Sequence, residues 1–144
     1  MIRKAQPEDV ESLYQLEQAV FGEAEATLKE TFEKIVSYPE GHELQVLLYQ
    51  GNFAGFYCVT WDEAEAYLSD LALHPSYQGH GLGSFLLEHC LKLLREKNCR
   101  RLFLTVRPSN SRALSLYRRQ GFEQLEILKA YYGDEDGLRL FYKF

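Results

Sequence analysis

The chain has 144 residues, a formal net charge of -5 and a hydrophobic share of 46%. That length suits a single domain over residues 1–144, able to bury about two thirds of the surface its unfolded chain exposes, and the composition is that of an ordinary globular protein. The acidic balance argues against nucleic acid as the main partner, no run approaches the ~18 to 20 apolar residues of a membrane-crossing helix, and no apolar stretch follows the first charges, so a cytoplasmic protein without a membrane partner is expected.

Cys58, Cys90 and Cys99 are odd in number and lack the C-x-x-C spacing, which points to reduced, buried thiols rather than a disulfide framework. His42, His74, His80 and His89 are scattered, so no metal is expected. Charge divides unevenly: residues 1–83 hold 4 Lys+Arg against 14 Asp+Glu, and residues 84–144 hold 12 against 7. The second part suits a polyanion and the first a cation, although solvated charged faces would give the same count.

In chain order, Ile2 to Ala5 reads as a short strand. Pro7, Glu8 and Asp9 then open a helix whose Val10, Leu13, Leu16, Val20 and Phe21 share one apolar face. A second helix is expected from about Thr27 to Ser37. Leu44 to Tyr49 and Phe53 to Trp61 read as strands joined across Gln50-Gly51-Asn52, a hairpin signal, and Tyr67 to Leu73 as the next strand. Phe85, Leu86, Leu87, Cys90, Leu91, Leu93 and Leu94 mark a helix ending near Asn98. Arg101 to Val106 alternates as a strand. Ser109 or Asn110 caps a helix stopped by Gly121, and two strands, about Glu123 to Tyr131 and Leu138 to Phe144, flank a polar turn. The resulting order, β-α-α-β-β-β-α-β-α-β-β, predicts a mixed α/β (α+β) domain with antiparallel hairpins before a central β-α-β unit.

Between strand and helix lies Leu71-Ala72-Leu73-His74-Pro75-Ser76-Tyr77-Gln78-Gly79-His80-Gly81-Leu82-Gly83. Glycines let the backbone approach a ligand and take positive φ, and the free N–H groups of a helix start favour phosphate oxygens. A pyrophosphate-bearing cosubstrate is the first reading. The spacing is one residue short of the dinucleotide fingerprint, no Lys-Ser or Lys-Thr follows as in a P-loop, and a glycine turn without a ligand stays open.

This run, followed about 30 residues later by Asn110-Ser111-Arg112-Ala113-Leu114-Ser115-Leu116-Tyr117-Arg118-Arg119-Gln120-Gly121-Phe122, resembles the GNAT superfamily of acetyl-CoA-dependent N-acetyltransferases over essentially the whole chain. The resemblance implies a mostly antiparallel seven-stranded sheet flanked by four helices. It implies acetyl-CoA as cosubstrate, its pyrophosphate on the amides of Gly79, His80, Gly81, Leu82, Gly83 and Ser84 beside Gln78. The pantetheine arm would pair with the strand edge at Leu71, Ala72 and Leu73, and Asn110 would contact the cosubstrate. Strand pairing makes physical sense, because pantetheine carries peptide-like amides and an edge offers unpaired backbone groups. Tyr117 matches the tyrosine placed beside the CoA sulfur, where a neutral phenol can serve the departing thiolate; a packed core tyrosine is the competing reading.

Leu104-Thr105-Val106-Arg107-Pro108-Ser109-Asn110 and the Tyr131-Tyr132 pair are similar to RimI-type N-terminal protein acetyltransferases, which implies a protein or peptide α-amine as acceptor, with Tyr131 and Tyr132 over the peptide. Where that group carries a glutamate base, this chain has Thr105, which cannot take a proton at neutral pH. Freeing an α-amine of pKa about 7.7 to 8.0 at pH 7 costs roughly 1 kcal/mol, against roughly 4.6 for a lysine, so an α-amine tolerates the loss of a strong base. Superfamily relatives place a base on the strand before the glycine turn, at positions matching Tyr67, Ser69 and Asp70. Asp70 is the carboxylate among them, and a bulge residue satisfying backbone donors is the alternative. Tyr67-Leu68-Ser69-Asp70 and the Asp136–Phe141 tail also resemble diamine and polyamine acetyltransferases, so a small amine is the second acceptor class. A non-catalytic acyl-CoA-binding module is the third reading. The sequence leaves the choice between monomer and homodimer open.

Overall fold

The computed structural model describes residues 1–23 and 25–144. Its elements are β1 (Ile2–Lys4), α1 (Val10–Phe21), α2 (Lys29–Ser37), β2 (His42–Tyr49), β3 (Asn52–Asp62), β4 (Glu65–Leu73), α3 (Leu82–Glu96), β5 (Arg101–Val106), α4 (Ser111–Arg119), β6 (Glu123–Leu128) and β7 (Gly137–Lys143), with short 3-10 turns at Pro7–Asp9 and Pro75–Tyr77. The order is the expected one. Seven strands form one mixed sheet in the order β1-β2-β3-β4-β5-β7-β6, antiparallel at every neighbour except β4 and β5.

Alternation along β3 feeds two cores. Tyr57 and Val59 face α3, where Leu86, Leu87, Cys90 and Leu94 pack with Leu68, Leu102 and Leu104. Phe56 and Cys58 face the other side, where Leu13 and Leu16 of α1 and Phe32 of α2 pack with Val46 and Ala72. The Phe32 and Phe56 rings meet edge to face at 5.7 Å. Each fully buried side chain of this size contributes about 1.5–3 kcal/mol by leaving water.

The 3-10 turn that leads into α1 is fixed by Asp9. Its Oδ2 accepts the Gln6 N–H at 2.7 Å, and its two oxygens take the Arg3 guanidinium fork at 2.7 and 3.0 Å. Burial alone would raise the Asp9 carboxyl, but these donors outweigh it and the group lies below its usual value. The second helix starts at Lys29 rather than near Thr27, because the Thr27 N–H is taken by the Glu17 carboxylate at 3.0 Å. Strand β6 stops at Leu128 rather than Tyr131. Ala130 takes a φ of +50° and gives its N–H to Asp136 at 2.8 Å, so Tyr131 and Tyr132 leave the sheet in a turn. Val20, expected in the core, is 37% exposed.

Two irregularities in β4 position everything that follows. The first is a bulge: Cys58 pairs with Asp70 and Val59 with Leu68, which leaves Ser69 as the extra residue. The Ser69 hydroxyl donates to the Cys58 carbonyl at 3.1 Å. An inserted residue inverts the side-chain alternation. Thus Ala66 and Leu68 face α3, whereas Ala72 packs with the α1 side. The second is a splay. The parallel pairing of β4 with β5 covers Glu65↔Arg101, Ala66↔Leu102 and Tyr67↔Phe103 and goes no further, so from Leu68 onward this edge of β4 has no strand beside it.

Candidate active site

Two grooves open along the splay. The first, about 500 Å³, runs from the α3 N-terminus to Tyr117 and is bounded by Leu71–Leu73, Gly79, Gly81–Ser84, Arg112 and Arg119. The second, about 380 Å³, passes Asp70, Thr105, Arg107 and Tyr132. They meet at Leu71, Asn110, Ala113 and Tyr117.

The first groove has the features that an anion carrying an amide chain would need. Gly81, the N-cap of α3, holds φ +75°, no side chain caps the helix, and a Cβ there would meet nothing within 4 Å. Its first amides therefore face open space with the helix dipole behind them. Gly79 holds φ +85° with the same clearance. Arg112 donates to the Gln78 side-chain oxygen at 2.6 Å, fixing a cation beside the turn. Along the groove floor, the unpaired β4 edge at Leu71–Leu73 offers backbone groups to a ligand with amides of its own. His80 bounds neither groove; its ring sits against the Tyr77 and Gln78 carbonyls at 3.3 and 3.2 Å.

Asn110 caps α4 by accepting the Ala113 N–H at 3.2 Å, the second of the two capping residues the sequence offered. That cap aims Tyr117 at the junction. Tyr117 is 7% exposed and packs on Phe122 at 5.4 Å. Burial, with the negative groups around it, pushes its phenol well above the ordinary tyrosine value, so it is a proton donor throughout the neutral range.

Asp70 bounds the second groove, turned by the bulge toward Glu17 of α1, and its Oδ2 accepts the Thr27 hydroxyl at 3.4 Å. Burial, then the neighbouring Glu17 carboxylate, pushes Asp70 up to about 9. Nothing in the sequence singles out Glu17, whose 1% exposure appears only when α1 is laid on β4. Tyr67 donates to Thr105 at 3.0 Å, so these two residues form one unit on the β4–β5 ladder, and Tyr67 itself bounds neither groove.

The mouth of the second groove is tied by Arg107. Its guanidinium reaches Glu25 of the α1–α2 loop, Asp134 at 3.0 Å and Glu135 at 3.1 Å in the β6–β7 loop, and lies 4.3 Å above the Tyr132 ring. Glu135 in turn accepts the Ser109 N–H at 2.7 Å and hydroxyl at 2.8 Å. Tyr131 stands edge-on to Tyr132 at 4.8 Å and is 51% exposed. The structure thus brings Tyr117, Asp70, Thr105 and Tyr132 to one groove and leaves Tyr67, Tyr131 and His80 beside it.

A glycine-turned helix start, a split parallel seam and a buried tyrosine where two grooves join define a machine for moving an acyl group between two ligands. The chain belongs to the acetyltransferase (GNAT) family, whose family model matches residues 10–122, and it is a GNAT-type N-acetyltransferase. It is 34% identical over 95% of its length, and 91% of the relative's, to a Bacillus subtilis protein assigned provisionally as a ribosomal protein bS18-alanine N-acetyltransferase. Identity with the Escherichia coli enzyme of that name is 38% over 63% of this chain and 62% of that one. The crystal structure of the ribosomal-protein-S18-alanine N-acetyltransferase from Escherichia coli superposes with a TM-score of 0.87 at 30% identity, covering 99% of this chain and 92% of the other.

Proposed function

We propose that this domain, residues 1–144, transfers acetyl from acetyl-CoA to the N-terminal α-amine of a peptide or protein, directly, with both substrates bound together. The observation that carries the reading is the junction of the two grooves at Tyr117, with the free β4 edge on one side and Asp70 and Tyr132 on the other. Acetyl-CoA fits the first groove: amides of Gly79–Ser84 and the Arg112 cation suit the pyrophosphate, and the edge at Leu71–Leu73 suits the pantetheine amides. One edge N–H would also polarise the thioester carbonyl, and the Tyr117 hydroxyl would supply a proton to the leaving sulfur.

The acceptor occupies the second groove, with Tyr132 and Tyr131 against the peptide and Thr105, held from behind by the Tyr67 hydroxyl, along its wall. Relatives that act on an alanine α-amine support this class. A polycation is disfavoured, because Glu25, Asp134 and Glu135 are already engaged by Arg107. All of these groups come from one chain, so a monomer suffices. Cys58, Cys90 and Cys99 are buried free thiols, which suits a reducing compartment such as the cytoplasm.

The test is thiol release from acetyl-CoA across N-terminal peptides, polyamines, aminoglycosides and free amino acids. Turnover on peptides that stops when the N-terminus is blocked is the expected result. Turnover confined to small amines would replace the acceptor class, and CoA binding without turnover on any amine would overturn the reading.

A further inference from the structure

Gly55 lies inside β3 without a positive φ, so what it supplies there is room rather than conformational freedom. A Cβ at this position would lie 2.5 Å from the Ala72 carbonyl oxygen, 2.9 Å from Leu73 Cδ2 and 3.3 Å from Leu73 Cα. A glycine within a strand marks a close approach of backbone. The neighbour here is the last stretch of β4, where Gly55 pairs with Leu73 and Phe56 with Ala72.

The register decides which backbone groups of that stretch are free. His74 donates its N–H across to the Ala54 carbonyl of β3 at 2.7 Å. Inward and outward groups alternate along an antiparallel strand, so Ala72 also turns its N–H and carbonyl to β3, while Leu71 and Leu73 turn theirs to the edge that β5 has left. The Ala72 carbonyl and the Leu73 N–H belong to one planar peptide unit, so whatever displaces the first re-aims the second. The Leu73 side chain ties the same unit to α3: its Cδ1 lies 3.6 Å from where a Cβ of Gly83 would stand, which seats it between β3 and the first turn of that helix.

We propose that Gly55 is a positioning residue for the cosubstrate, its missing side chain setting the aim of the Leu73 N–H into the groove and the distance from that donor to the α3 N-terminus. The inference rests on the acetyl-CoA reading above and adds a residue that bounds neither groove. With alanine in its place the Leu73 methyl can turn aside, but the Ala72 oxygen is backbone and must retreat from 2.5 Å to about 3.4 Å, an ordinary contact. A donor at the usual distance of about 2.9–3.0 Å that moves by a comparable amount no longer bonds. The α3 amides belong to another element and keep their place, so the pantetheine end of the site is lost while the pyrophosphate end is kept.

The experiment is calorimetric titration of the wild type, Gly55→Ala and Leu73→Ala with CoA and with ADP, which keeps the pyrophosphate and lacks the pantetheine arm. Steady-state kinetics on acetyl-CoA and an N-terminal peptide accompany it. Expected for Gly55→Ala is a CoA affinity lower by about fivefold or more, an ADP affinity within about twofold, and a KM that rises for acetyl-CoA and not for the peptide. A fold merely loosened by the substitution would weaken both ligands alike. Equal weakening of CoA and ADP, or a CoA affinity within about twofold of wild type, overturns the proposal. If Gly55→Ala does not fold, Leu73→Ala, which empties the seat between Gly55 and α3 and keeps the backbone edge, decides by the same split. A wild type that binds neither ligand and acetylates no amine would refute the acetyl-CoA reading itself, whereas an active wild type with variants lacking the split refutes the role of Gly55 alone.

Discussion

Replacing Tyr117 by Phe removes one oxygen and leaves the ring in place. The ring makes the packing: it is buried against Phe122 in the core beneath α3. The hydroxyl makes no hydrogen bond to a described residue, so its removal orphans no partner and changes stability by less than about 1 kcal/mol. A proton donor at a leaving group is worth about 10²- to 10⁴-fold, or roughly 2.7–5.5 kcal/mol of barrier. Tyr117→Phe therefore loses two orders of magnitude or more in kcat while Tm and acetyl-CoA affinity hold. Because burial raises this phenol, the acid form persists as pH rises, and its ionisation puts no falling limb into the wild-type rate below pH 10. Stopped thiol release, a thermal melt and CoA titration on the same preparation measure all three. A kcat within threefold of wild type would refute the assignment, as would a loss that tracks a fall in Tm.

Gly81→Ala and Gly83→Ala separate conformation from space: the first forces a side chain to φ +75° and costs about 1 kcal/mol, whereas the second adds a methyl at 3.4 Å from Leu116 inside a helix and gains roughly 0.5–1 kcal/mol, both read by urea unfolding. Asp9→Ala costs about 1–3 kcal/mol through the lost cap and Arg3 fork. Since the native Asp9 carboxyl lies below its unfolded value, that stability is fully present above about pH 4 and lost as pH falls through the native pKa, so wild type and variant converge in acid melts. Gly137→Ala places a Cβ 2.9 Å from that of Tyr131 and 3.0 Å from Thr105 Cγ2; it should raise the peptide KM while leaving acetyl-CoA affinity intact, which a two-substrate kinetic grid resolves.

The order of elements was legible in the sequence because each boundary has a local cause: Asp9 and Asn110 at helix starts, the Gln50-Gly51 turn, the glycine turn before α3. The first groove was legible for the same reason, since most of its lining comes from one contiguous run, residues 71–84. What could not be read is what arises across the sheet. Strict alternation through Tyr67–Leu73 would place Leu68, Asp70 and Ala72 on one face. The Ser69 bulge divides them, and it depends on pairing with β3 that no local pattern records. Glu17 looked like one acid among many in an acidic half, and its burial exists only once α1 lies on β4. The sequence pattern carries the sixth strand on to about Tyr131, but Asp136, six residues beyond Ala130, captures the backbone first.

A seam that separates after three residue pairs leaves the middle of the sheet with something sheets normally keep at their margins, a length of backbone still able to accept a strand. Exposed at an outer edge, that length would recruit other chains. Set between β4 and β5, with α3 and α4 around it, it admits a single narrow chain and excludes a second sheet. Recognition by main-chain pairing and resistance to aggregation, usually in conflict, are met here by one break in register, and a bound amide chain would act as the missing rung that makes the sheet continuous.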